Sequence, residues 1–124
     1  MLGCSKQKSS STAEAIESVI TYAGVTMRID SAKDSLIAFD LYADWCGPCR
    51  ILGPTIEAIA KENKGKVTFY RVNVDNVPQA AQLFGIRGIP FVVFLKNKNV
   101  VGSFTGIQPK EEYLKIIAAN SIQP

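Results

Sequence analysis

Trp45-Cys46-Gly47-Pro48-Cys49 carries the residues best suited to chemistry in this chain: two thiols separated by two turn-forming residues. Such neighbours can close into a disulfide and open again, which is redox chemistry. The flanking residues supply a mechanism. An apolar run ends just before Trp45, and a periodic apolar segment starting near Ile51 predicts a helix, so Cys46 falls at or near a helix N-terminus. Unpaired backbone N–H groups and the positive end of the helix dipole stabilise a thiolate there, lowering the thiol below the roughly 8.5 of a free cysteine. Cys46 is therefore the expected nucleophile. Cys49, about one turn further and expected to be less exposed, would displace whatever Cys46 captures. Pro48 lacks an N–H where a helix start needs none, and Gly47 lets a partner backbone come close.

Other uses of two cysteines fit the composition poorly. Zinc or an iron–sulfur cluster takes about four Cys or His ligands, and the chain has no His and one further cysteine, Cys4. No metal is expected, and no cofactor beyond the Cys46-Cys49 pair. A purely structural disulfide is badly motivated, because closing so short a loop removes little entropy from the unfolded chain.

With 124 residues, 47% of them hydrophobic, the chain suits one domain with a single adequate core. Its net charge of +3 is too small and too scattered to suggest a nucleic-acid surface. No apolar run reaches transmembrane length. Residues 1–11, with the run Ser5-Lys6-Gln7-Lys8-Ser9-Ser10-Ser11, read as a polar tether, and residues 12–124 as the domain.

Helices and strands should alternate along that domain. Thr12 to about Tyr22 reads as a helix with Ile16, Val19 and Ile20 on its apolar stripe, ended by Gly24 and followed by a strand-like Val25-Thr26-Met27-Arg28-Ile29 and a polar turn from Asp30 to Ser35. Leu36 to Ala43 is a nearly continuous apolar run, the pattern of a central strand covered on both faces. A helix follows through Leu52, Ile56 and Ile59, then a strand over Val67 to Val74 and a short helix from Pro78 to Phe84. Phe91 to Leu95 and Val100 to Phe104 suit an antiparallel hairpin, and Pro109 opens a last helix that buries Tyr113, Leu114 and Ile117.

One residue breaks the pattern. Asp40 sits within Ile37-Ala38-Phe39-Asp40-Leu41-Tyr42, where desolvation disfavours its charged form and raises its pKa unless a cation compensates.

These residues resemble the thioredoxin family over roughly Leu36 to Asn120. The likeness rests on Phe39-Asp40-Leu41-Tyr42-Ala43-Asp44-Trp45-Cys46-Gly47-Pro48-Cys49, Pro54, Val72-Asn73-Val74-Asp75, Gly85-Ile86-Arg87-Gly88-Ile89-Pro90 and Gly106, in the family order. The resemblance implies an α/β thioredoxin fold, a central mixed β-sheet flanked by α-helices, with the dithiol at the carboxyl end of a central strand. It implies that Asp40 exchanges a proton with Cys49. It also implies a cis bond at Ile89-Pro90, leaving the Ile89 backbone free to pair with an extended substrate. Trp45, Gly47, Pro48, Ile89, Pro90, Gly106 and Ile107 would form an apolar platform for protein disulfides. Trp45 could instead belong to the core. Pro54 matches the proline that kinks the helix after the dithiol.

Three features depart from the family. Arg71 stands where a lysine usually lies near the buried acid; it could hold Asp40 ionised, be pushed out to solvent, or be an ordinary surface arginine. Phe91 follows the loop proline in place of threonine, at the rim of the expected groove. At the N-terminus, the family begins with a strand and then a helix, the reverse of the order read above.

The reading is a protein-disulfide reductase in which Cys46 attacks, Cys49 resolves, Asp40 transfers a proton, and Gly47, Pro48 and Arg71 support them. The Gly-Pro spacer is the family's own, and family potentials near about −270 mV, against about −120 mV for a strong oxidant, favour reduction. The alternatives are an envelope oxidase or isomerase, and a docking subunit without turnover. Expected partners are protein disulfides and an upstream electron donor, either thioredoxin reductase or a membrane thiol transporter, with the chain acting as a monomer. Met1-Leu2-Gly3-Cys4 resembles the cleavage region of a bacterial lipoprotein, so a lipid anchor at Cys4 would place the protein in the bacterial periplasm or cell envelope, with the cytoplasm as the alternative.

Overall fold

The computed structural model describes residues 16–121; the tether over residues 1–11, Cys4 and the outer bounds of the domain lie outside them. Its centre is a mixed sheet of five strands in the order β1-β3-β2-β4-β5. The strands are β1 (Ile16–Ser18), β2 (Ile37–Tyr42), β3 (Thr68–Asn73), β4 (Phe91–Lys96) and β5 (Asn99–Thr105). β2 runs parallel to β3 and antiparallel to β4; β1 is parallel to β3, and β5 closes an antiparallel hairpin with β4. Asn97 and Lys98 both have positive φ, as a two-residue hairpin turn requires.

Among the described residues, four helices cover the sheet: α1 (Tyr22–Ala32), α2 (Gly47–Glu62), α3 (Pro78–Phe84) and α4 (Lys110–Asn120). Strand alternation sorts β2 onto two cores. Ile37, Phe39 and Leu41 pack with Val25 of α1 and Ala80 of α3. Ala38 packs with Leu52 and Ile56 of α2 and with Tyr113 and Ile117 of α4. The continuous apolar run is thus explained by burial on both faces, and Asp40, two residues beyond Ala38, points to the α2 and α4 side.

The N-terminal expectation is overturned: Ile16–Ser18 is a strand, and Val25 to Ile29, together with Asp30, Ser31 and Ala32 of the expected turn, lies in α1. The family order is therefore kept. Tertiary contact outweighs local propensity here, because Val25, Ile29 and Ala32 recur at helical spacing and meet the sheet together. Thr21 caps the helix by accepting the Gly24 N–H at 2.9 Å. Gly24 does not end a helix; it lies in the first turn of one, where an added Cβ would come within 2.8 Å of Val19 Cγ1.

Candidate active site

α2 begins immediately after Cys46, a full turn earlier than Ile51, so Cys46 is its N-cap residue. The Cys46 backbone is extended, and its Sγ accepts the Cys49 N–H at 3.2 Å, the place a Ser or Asp oxygen takes in an ordinary cap. Helix polarity and a direct donor therefore converge on one sulfur. The two sulfurs are joined in a disulfide, with Cα atoms 5.3 Å apart. Cys46 is 4% exposed and Cys49 3%, so the expected difference in exposure is absent in the closed form. Ala43 is buried with the bonded pair, and Tyr42, Val74 and Ile89 pack against this cluster.

Three loops meet at the disulfide. Trp45 is 68% exposed, which removes the core reading, and its indole N–H donates to Asp75 Oδ2 at 2.9 Å. Ile89-Pro90 is cis, and Ile89 is half-buried against the cysteines while Pro90 is buried. The Pro90 carbonyl accepts the Gly106 N–H at 2.8 Å, which ties the third loop to the second. Gly106 has φ +84°, a conformation few side chains tolerate, and it leaves Ile107 exposed beside it. Gly47 and Pro48 are also exposed, and the register of Leu41, Phe91 and Thr105 puts the loops after β2, before β4 and after β5 at one end of the sheet. Phe91 is buried among the α1 and α3 core residues and does not shape the rim.

On β2, which leads to the dithiol, Asp40 is 2% exposed. Burial pushes its carboxyl up to about 6, and the nearby Arg71 charge only partly opposes this. Arg71 is not expelled to solvent: its Nε lies 3.7 Å from Asp40 Oδ2, too far for a hydrogen bond, and its guanidinium stacks 4.0 Å from the Tyr42 ring centre. A cleft of about 330 Å³ is lined by Cys49, Tyr42, Arg71, Asp44, Glu57 and Gly53-Pro54, among others, and joins Asp40's partner to the second cysteine. Pro54 lies within α2, which continues through it. Among the described residues, no cluster of His, Cys, Asp and Glu could hold a metal, and no helix is long and apolar enough to cross a membrane.

Sequence reasoning passed over Tyr42 and Asp75. Tyr42 was legible in principle, since two residues after a buried acid on a strand is the same face of the sheet.

The family model described as Thioredoxin matches residues 18–119. A thioredoxin of Chlorobaculum thiosulfatiphilum is 40% identical over 85 residues, covering 68% of this chain and 79% of that protein. The chloroplastic M-type thioredoxin of Pisum sativum is 42% identical over 88 residues, 65% of this chain; the chain spans about half of that relative, 51% of its length. Among solved structures, Fasciola hepatica thioredoxin superposes with a TM-score of 0.79 at 33% identity, covering 86% of this chain and 100% of that one. With a capped cysteine pair, a cis-proline loop and a buried acid on one such sheet, the chain belongs to the thioredoxin family.

Proposed function

We propose that this protein is a thiol–disulfide oxidoreductase that reduces disulfides in other proteins. The observation that carries the reading is the Cys49 N–H directed at Cys46 Sγ on the N-cap of α2. In the dithiol form the same donor and the helix terminus favour the Cys46 thiolate.

Cys46 thiolate attacks one sulfur of a substrate disulfide, and the other leaves as a thiolate that takes a proton. The mixed disulfide rests against the Ile89-Pro90 and Gly106-Ile107 loops, with Trp45 at the rim. Cys49 then loses its proton to Asp40 and attacks Cys46 Sγ, and the second substrate sulfur leaves as a thiolate that takes a proton from water, while Asp40 returns its proton to solvent. The substrate gains two electrons and two protons, and Cys46 and Cys49 end as the disulfide present in the structure. An acid with a pKa of about 6 is charged near neutral pH and still basic enough to accept that proton.

An upstream dithiol donor would reopen the pair, either a thioredoxin reductase or a membrane thiol transporter. The Gly3-Cys4 junction and the polar residues after it support attachment to a bacterial envelope through Cys4. Intact mass of the native protein tests this: a fatty-acylated Cys4 at the mature N-terminus supports it, and an unmodified Cys4 within a Met1 start removes it.

Insulin reduction with dithiothreitol as donor tests the central reading. The wild type should exceed the reagent alone and Cys46→Ser should match it, whereas a wild type no faster than the reagent leaves only a docking module. Equilibration with glutathione sets direction, since a reductant's own disulfide resists that pool and an oxidase's does not.

A further inference from the structure

Arg71 on β3 is in register with Asp40 on β2, and Tyr42 stands two residues beyond Asp40 on the same face. The Arg71 guanidinium carbon is 4.0 Å from the Tyr42 ring centre, well inside the roughly 6 Å reach of a cation–π contact. Its approach to Asp40 is looser, at 3.7 Å from Nε to Oδ2. Arg71 Nε and Asp40 Oδ1 are buried and have no hydrogen-bond partner among the described residues. No hydrogen bond between the acid and the cation fixes the guanidinium over the carboxyl. The ring is the close contact that does, on the wall of a cleft open to water, where Arg71 keeps 28% of its side chain exposed.

We propose that Tyr42 is a positioning residue for Arg71: its ring face holds the cation near the buried Asp40 carboxyl, on the wall of the cleft that Cys49 also lines, and thereby sets the proton affinity of the acid. Without the ring, the guanidinium is better solvated away from the sheet, and Asp40 loses the nearest positive charge. Arg71 is the cation that lowers the Asp40 carboxyl, and the other ionisable groups around it are these. α4 presents Tyr113, which feels the Asp40 charge; α2 presents Cys49, Arg50 and Glu57 at the cleft; the preceding loop presents Asp44; and β4 opposes Asp40 with the apolar Val92. The consequence for rate rests on the proton-transfer role proposed for Asp40, but the positioning does not.

NMR titration of the Asp40 side-chain carboxyl in the oxidised protein, where neither active-site cysteine titrates, measures the effect directly. Tyr42→Leu should raise the Asp40 midpoint by roughly half to one pH unit, while Tyr42→Phe, which keeps the ring face, leaves it in place. Arg71→Gln should raise it at least as far, and adding Tyr42→Leu to Arg71→Gln should move it no further. A midpoint that stays or falls in Tyr42→Leu overturns the proposal, as does a further rise in the double variant. The pH profile of disulfide reduction then separates the two readings. A displaced midpoint with an undisplaced profile keeps the positioning and removes the proton-transfer role of Asp40; displacement of both supports both.

Discussion

The indole N–H of Trp45 donates to the carboxylate of Asp75, which pins the residue before the first cysteine to the turn after β3. An exposed aromatic is thereby held in one orientation at the mouth of the site, at little entropic cost when a partner docks. In Asp75→Ala this restraint is gone. A hydrogen bond of this kind is worth about 1 kcal/mol, so KM for a protein disulfide should rise roughly fivefold with kcat nearly unchanged. The chain has one tryptophan, so its fluorescence anisotropy reports the loosening without interference. Unchanged anisotropy together with unchanged KM would remove this role.

Asp40 makes folding stability depend on pH in an unusual direction. Its carboxyl binds a proton more tightly in the folded chain, at about 6, than at the ordinary 3.8. The folded state therefore holds more protons between those values, and stability is lost as pH rises through that window. Above it the buried charge costs on the order of 3 kcal/mol. Asp40→Asn should be more stable than wild type by up to that amount near neutral pH, with the gain fading toward about pH 4. Urea unfolding across this range checks the sign. The same variant should reduce insulin more slowly; equal rates from about pH 6 to 9 would remove the proton-transfer role.

Cys46 should be the more acidic thiol once the disulfide is opened. Iodoacetamide at about pH 6.5 should label it well before Cys49, with a midpoint below the roughly 8.5 of a free thiol. Peptide mass mapping assigns the site. Equal labelling of both sulfurs, or a midpoint at the ordinary value, would contradict the N-cap geometry as the source of reactivity.

Gly24→Ala tests the corrected N-terminus. Alanine in place of glycine inside a helix normally stabilises by about 1 kcal/mol. Here the new methyl meets Val19 Cγ1 at 2.8 Å and Thr21 Oγ1 at 3.0 Å, and Val19 is a stiff, buried side chain. Overpacking of this sort costs about 1–3 kcal/mol, so the net change should be destabilising by about 1 kcal/mol. A rise in Tm would show that Gly24 does not abut Val19.

From Leu36 onward the elements follow from local pattern, because β2's apolar run, the hairpin turn and the helix-opening prolines each point to the same structure that packing selects. The first elements were illegible for a physical reason. Val25-Thr26-Met27-Arg28-Ile29 is rich in branched residues and reads as a strand locally, while its helical stripe becomes visible only when Ala32 is counted with it. At the site, Cys46, Cys49 and Asp40 stood out by type and context. Phe91 was misplaced at the rim because strand parity, which turns it inward, depends on where β4 begins. The disposition of Arg71 was open because it depends on a side chain two residues from the acid on another strand.

β2 is bonded by β3 on one side and β4 on the other, so the backbone carrying Asp40 has no freedom to swing the acid toward water. The scaffold thus locks the carboxyl's depth and leaves its chemistry to be adjusted from the cleft wall. On the roles proposed for Asp40, Tyr42 and Arg71, exchanges at positions 42 and 71 would act as a dial, retuning the acid for a different ambient acidity while the strands and the thiols stay as they are.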